Sequence, residues 1–394
     1  MTATLLDLGL DPEAPGLFTR PDYFEVLERL RVEAPVFGYR PGCWLLSRYD
    51  DVRDVSRDPE RFCSGRGVLM NDPLRQGGEI HGSILHMDPP EHAAWRGLVS
   101  RSFTPRAMGA LGDRVRALTQ VLLDDVPTGD EIDFIEQIAA PLPVLVIAEL
   151  LDIPGPDRRQ FRRWSDACIE SMDTAEPDLA SIGELHAFLQ HHVAEHRDHP
   201  GDDVASALAT AEVDGRPVTA AEAAGYCLAL LVAGNETTRH LIAGAALALA
   251  EHPAQRQRLA GEPERIPAAM EEALRWVTPI QSFGRTATRP TELAGVTIDA
   301  GDFVVLLYAS ANRDAEAFGP TAGRFDAARP IDAAHLAFGF GEHRCLGAAL
   351  ARLEARVLFE ELLARVPDYQ VVGEPAWVSS TLVRGMTTLP VVLH

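Results

Sequence analysis

The chain has 394 residues, 46% of them hydrophobic, and a formal net charge of −22. That is enough apolar material for a sizeable core, while the acidic balance excludes a nucleic-acid backbone as the main partner, because binding phosphates needs a basic footprint. All 36 basic residues are arginines, and five cysteines (Cys43, Cys63, Cys168, Cys227, Cys345) are scattered without a C-x-x-C pair, which excludes a disulfide framework or a zinc site. No apolar run reaches bilayer length, and the start MTATLLDLGLDPEAPG lacks a basic region followed by a hydrophobic one, so a cytoplasmic protein off the membrane is expected.

In chain order, Pro21 to Glu33 reads as an amphipathic helix with Phe24, Leu27 and Leu30 on one face. Val36 to Arg48 reads as a hairpin turning at Pro41-Gly42, and Tyr49 to Ser56 as a short helix. From Phe62 to Met87 no period is sustained, and Gly65, Gly67, Gly77, Gly78 and Gly82 break the run. Its length suggests a substrate-facing loop, with Val68, Leu69, Met70, Ile84 and Leu85 as candidates to line an apolar site. Asp88-Pro89-Pro90 opens a helix in which His92 and Arg96, four apart, share a face; a solvated surface pair would look the same. Further helices are predicted at Pro105 to Asp124, Glu136 to Leu151, Asp157 to Met172 and Leu179 to Arg197.

The longest pattern begins at Thr219, which forms a capping box with Glu222, and runs almost unbroken to the apolar stretch ending near Ala250. A helix of that length spans about 48 Å, and being apolar on most sides it must pass through the middle of the protein. At its centre lies Ala233-Gly234-Asn235-Glu236-Thr237-Thr238. Buried polar groups need partners, and Gly234 weakens the helix by about 1 kcal/mol. A water-filled kink is one reading; a proton-delivery groove is the other. In the second, Thr237 bonds the Ala233 carbonyl or turns to a ligand in the gap left by Gly234, and Glu236 shuttles protons.

Pro267 to Val277 is another helix and carries Glu272-Ala273-Leu274-Arg275, which at this spacing could be one more surface ion pair. A strand follows Pro279 to Phe283, then strands at Val296 to Ile298 and Phe303 to Leu307 joined by the turn Asp299 to Asp302. Near the end stands Phe338-Gly339-Phe340-Gly341-Glu342-His343-Arg344-Cys345-Leu346-Gly347, followed by helical spacing through Leu350, Leu353 and Leu358. A cysteine at a helix start beside Arg344 is biased towards thiolate, and Gly341 and Gly347 let the backbone wrap a bulky ligand; a buried inert cysteine is the alternative. From Tyr369 onward short strands alternate, with a turn near Arg384-Gly385.

Phe338, Gly341, Cys345 and Gly347 match the haem loop F-x-x-G-x-x-x-C-x-G of the cytochrome P450 family, which the chain resembles from about Pro21 to Val392. The resemblance implies one mainly helical domain over residues 1–394, with small β regions near 36–48, 283–307 and 369–392. It implies haem b with Cys345 as axial iron ligand, since thiolate-ligated haem favours O–O cleavage. The run from His86 to Arg96 resembles the propionate-binding helix, so His92, Arg96, Arg285 and His343 would anchor the propionates, with Phe338, Gly339, Ala233, Gly234 and Gly347 against the haem. Trp95 replaces the polar residue more usual there. Glu236 and Thr237 match the family's acid-alcohol pair, and Glu272 and Arg275 its E-x-x-R element, with Arg324 of Gly323-Arg324-Phe325-Asp326 as third member.

The implied activity is a monooxygenase that inserts one oxygen atom from O2 into a C–H or C=C bond of an apolar small molecule. Electrons would come from NAD(P)H through a ferredoxin and its reductase, docked on a basic patch of Arg101, Arg106, Arg352 and Arg356, and the protein would act as a monomer. The rivals are a peroxide-using haem peroxygenase, disfavoured by the intact acid-alcohol pair, and a non-enzymatic haem or lipid binder.

Overall fold

The computed structural model describes residues 9–80, 83–170, 178–330 and 333–394; Gly82 and Met172, both part of expected elements, lie outside them. Helix α1 (Tyr23–Glu33) buries Val26, Leu27 and Leu30, the face set by their spacing. Strands β1 (Val36–Arg40) and β2 (Cys43–Leu46) form the expected hairpin, with Val36 opposite Leu46 and Gly42 at φ +72° in the turn. Helix α2 (Tyr49–Ser56) and the short β3 (Phe62–Cys63) follow.

The stretch after β3 is more ordered than its composition suggests. Buried Asp72 accepts hydrogen bonds from the backbone N–H groups of Val68, Leu69 and Leu74 and lies 2.8 Å from His86 Nε2. Val68 and Met70 are core residues that with Leu69 line a small cavity of about 80 Å³ against Phe283 and Phe303; Leu69, Ile84 and Leu85 are partly exposed. Helix α3 (Glu91–Gly97) carries His92 and Arg96, and α4 (Pro105–Asp124) starts from Thr104, whose side chain accepts from the Ala107 N–H. The expected helix from Glu136 divides: a π-turn at Ile135–Ala139 precedes α5 (Pro141–Leu150), because Pro141 and Pro143 fit only a first helical turn. Before it, β4 (Glu131–Asp133) is a strand that the sequence pattern did not suggest. Helices α6 (Arg158–Glu170) and α7 (Leu179–Asp198) then pack against one another.

Helix α8 (Ala220–Glu251) has 32 residues and the complete Thr219–Glu222 capping box. It crosses the largest apolar cluster, packing against α5, α7, α9 (Pro253–Gly261) and α10 (Ile266–Val277). It runs on through Gly234 without a break in the helix. Strands β5 (Ser282–Ala287) and β6 (Phe303–Leu307) join the hairpin in one sheet ordered β1-β2-β6-β5-β3, with β6 parallel to β2 and antiparallel to β5. Val296–Ile298 does not pair across the Asp299 to Asp302 turn; it pairs with Thr291–Leu293. Helix α11 (Ala348–Arg365) packs on α4, α8 and α10. A last sheet places Pro390–Leu393 between Tyr369–Val371 and β4.

Candidate active site

The cysteine loop is shaped by two glycines in the left-handed region, Gly339 at φ +65° and Gly341 at φ +74°. A Cβ on Gly341 would lie 2.1 Å from the Ser56 carbonyl oxygen, so only glycine allows α2 to sit against this loop. The Cys345 N–H donates to the Phe338 carbonyl at 2.8 Å, and the Arg352 guanidinium lies 4.6 Å from the centre of the Phe338 ring. These contacts hold the sulfur at the entrance to α11, two residues before its N-cap Gly347.

The Cys345 thiol is accessible, yet protein atoms crowd it on nearly all sides, which places it on an internal cleft. Burial pushes the thiol up, while the Gly347 N–H and then Arg96, Arg344 and Arg352 pull it down. Without a bound cation, burial outweighs the helix start and the arginines, and the thiol stands above its ordinary range. A sulfur so placed needs a metal cation to become a firm thiolate ligand.

On one flank of this loop the His92 and His343 rings lie 4.1 Å apart, and Ser64 Oγ is 3.1 Å from His343 Nε2. Burial, then Arg285 and His92, push His343 down to about 3; burial, then Arg96, lower His92. Arg96 Nη2 donates to the Arg344 carbonyl at 2.6 Å. Arg285 is buried, donates to the Gly284 carbonyl at 2.7 Å and has no acidic partner among the described residues. Two guanidinium groups and two neutral imidazoles suit an anionic ligand with more than one carboxylate, although the Glu342 carboxyl group also reaches this cluster, 3.5 Å from His343 Nε2. Trp95, turned the other way, stacks on Tyr226 of α8 at 6.5 Å between ring centres, so this departure serves helix packing. Ser64 carried no signal in the sequence, since nothing local distinguishes it from any loop serine.

Helix α8 is buried on most sides, yet Ala229 and Ala233 are exposed and Leu230, Gly234 and Thr237 partly so. This stripe, at steps of three and four residues, is the wall of a cleft. A Cβ on Gly234 would lie 3.0 Å from Ile147 Cδ1, so the glycine also admits close packing by α5. Thr237 Oγ1 donates to the Ala233 carbonyl at 2.8 Å, as its spacing implies. Glu236 is buried on the neighbouring flank, with its Oε1 3.9 Å from Arg239 Nη2 and 3.6 Å from His240 Nε2.

Glu272 and Arg275 on α10 form a buried fork with two contacts of 2.7 Å. The third guanidinium is Arg329 and not Arg324: Arg329 Nε donates to Glu272 Oε2 at 3.1 Å. Arg324 points its side chain to solvent and supplies only its carbonyl, which accepts from Arg275 at 3.0 Å and Arg329 at 2.9 Å. The turn that presents this carbonyl inward sends the side chain outward, and the sequence motif could not register that reversal. The arginine patch is also smaller than expected. Arg352 is a fork on Glu271, and although burial pushes Glu271 up, Arg352 and His335 hold it at about 2. Arg356 lies 3.9 Å from Glu360, leaving Arg101 and Arg106 exposed without such pairs among the described residues.

A cysteine sulfur on an internal cleft, a cluster of arginines and imidazoles beside it and a glycine-gapped helix wall suit a flat, acidic, metal-bearing group. Comparison with known proteins agrees. The Cytochrome P450 family profile matches residues 176–366. The erythromycin C-12 hydroxylase of Saccharopolyspora erythraea is 42% identical over 90% of this chain and 89% of its own length. The methyl-branched lipid omega-hydroxylase of Mycobacterium tuberculosis is 37% identical over 91% of this chain and 86% of its own. The solved open form of cytochrome P450 EryK from S. erythraea superposes with a TM-score of 0.85, at 40% identity, covering 97% of this chain and 98% of that one. The chain belongs to the cytochrome P450 family. It is an oxidoreductase of the P450 monooxygenase type, with a haem cofactor, O2 and a small-molecule substrate. Among the described residues no helix is long and apolar enough to cross a membrane.

Proposed function

We propose that this chain inserts one oxygen atom of O2 into a C–H or C=C bond of a largely apolar molecule, with electrons from NAD(P)H through a ferredoxin and its reductase. The observation that carries the reading is the accessible Cys345 sulfur beside the cluster of His92, Arg96, Arg285 and His343. Haem b held by Cys345 would supply the activation of O2. His92, Arg96, Arg285 and His343 would bind its two carboxylates, and Phe338, Gly339, Ala233, Gly234 and Gly347 would lie against it.

Thr237 holds its hydroxyl proton on the Ala233 carbonyl and turns it to a ligand in the cleft when needed. Glu236 replaces that proton. Leu69, Ile84 and Leu85 support an apolar substrate, as do relatives named for erythromycin and a methyl-branched lipid. Arg101 and Arg106 give an acidic ferredoxin a local landing point on an acidic protein.

The reduced CO complex of the holoprotein tests the assignment. Cys345→Ser should keep its far-ultraviolet dichroism and lose the red-shifted Soret band; a variant that keeps the band overturns it. Arg106→Glu should slow reduction by a ferredoxin several-fold with haem content unchanged.

A further inference from the structure

The turn from Asn235 to His240 on α8 is poorly satisfied for a buried segment. Among the described residues eleven buried side-chain polar atoms lack a hydrogen-bond partner, and four of them are Asn235 Oδ1, Arg239 Nε and both ring nitrogens of His240. Glu236 is the acid in their midst. Its Oε1 lies 3.6 Å from His240 Nε2 and 3.9 Å from Arg239 Nη2, neither a formed hydrogen bond.

The imidazole is fully buried and packs directly on Gly385. A Cβ on Gly385 would fall 2.1 Å from both Cγ and Nδ1 of His240, so the ring lies flat on the Gly385 backbone with its Nε2 edge towards Glu236. The charged groups that reach the ring are Glu236 and Arg239 on its own helix. Arg384, next to Gly385, is directed away and donates to the Phe18 carbonyl at 2.8 Å. Burial keeps the ring neutral, so it carries one N–H.

We propose that His240 is a positioning residue for Glu236: its Nε2–H is aimed at the carboxyl group and parks it on the flank of α8 next to, and not on, the cleft that Thr237 faces. The contact is close enough to orient the carboxyl group and too long to lock it. Rotation about the Glu236 side-chain bonds therefore releases the group towards Thr237, and the clamped ring receives it again. His240 neither gains nor loses a proton in this role. The inference rests on the acid-alcohol reading of Glu236 and Thr237.

Two measurements test it without a known substrate. In the ferric holoenzyme, nitrogen-15 resonances of the histidine rings, assigned through His240→Gln, should show His240 as the neutral Nε2–H tautomer and should shift in Glu236→Gln. An Nδ1–H tautomer or a charged ring overturns the proposal, whatever the variants do. Reoxidation of the dithionite-reduced holoenzyme by O2 is the second. His240→Leu should change its rate at least three-fold and alter its solvent deuterium isotope effect, while His240→Gln, which restores a donor, stays within two-fold of the parent. Gly385→Ala, which displaces the ring, should follow His240→Leu, and serves if that variant does not fold. Should Glu236→Gln itself leave reoxidation unchanged, the acid-alcohol reading falls; should it change while His240→Leu and Gly385→Ala do not, only the positioning role falls.

Discussion

Two segments of this protein carry the same E-x-x-R spacing on buried helices, Glu236 to Arg239 and Glu272 to Arg275, and the structure treats them in opposite ways. At Glu272 the carboxylate accepts both arms of Arg275 at 2.7 Å, the Asp326 N–H at 2.9 Å and Arg329 beside them. At Glu236 the Arg239 guanidinium stands 3.9 Å away and the neutral His240 ring 3.6 Å away, and the polar atoms around it lack partners. A saturated buried network holds several chain segments in one arrangement, whereas an under-satisfied one leaves its acid able to turn. Satisfaction thus separates a brace from a working group where spacing does not.

The contrast can be broken at either end. Arg275→Leu should be the most damaging change, because it leaves Glu272 buried with its main partner gone; a loss of about 3–5 kcal/mol in denaturant unfolding is expected. Arg329→Gln removes one member and leaves the fork, so a loss of about 1–3 kcal/mol by the same measurement is expected.

At the other end, acid should act on the open cluster. His240 is lowered by burial first, with Glu236 opposing and Arg239 assisting. The unfolded ring, near pKa 6.5, binds protons that the folded one refuses, so this contribution is whole above about pH 6.5 and shrinks below it. His240→Leu should therefore flatten the fall of stability with acid by up to about 1.4 kcal/mol at pH 5.5, read from thermal melts at a series of pH values. Glu236→Gln gives up no formed hydrogen bond and should stay within about 1 kcal/mol of the parent, a result that would merge the two segments if it matched Arg275→Leu. Arg324→Ala should be the mildest, within about 0.5 kcal/mol, since its carbonyl does the bonding.

What the amino-acid sequence determined by itself is what depends on near neighbours. The span of α8 follows from a capping box and an apolar run, the Thr237 bond to Ala233 from helical geometry, and the bend of the cysteine loop from glycines that alone tolerate φ near +65° to +74°. The family-level motif placed Cys345, His92, Arg285 and His343 in one site because those residue types recur at known separations. Tertiary structure alone decided the rest: Arg329 in place of Arg324, Ser64 at His343, Arg352 consumed by Glu271, β4 drawn into the final sheet and Gly385 beneath His240. Each of these depends on which distant segment the chain brings back to a given spot and in which direction its side chains then point. Local periodicity carries neither quantity.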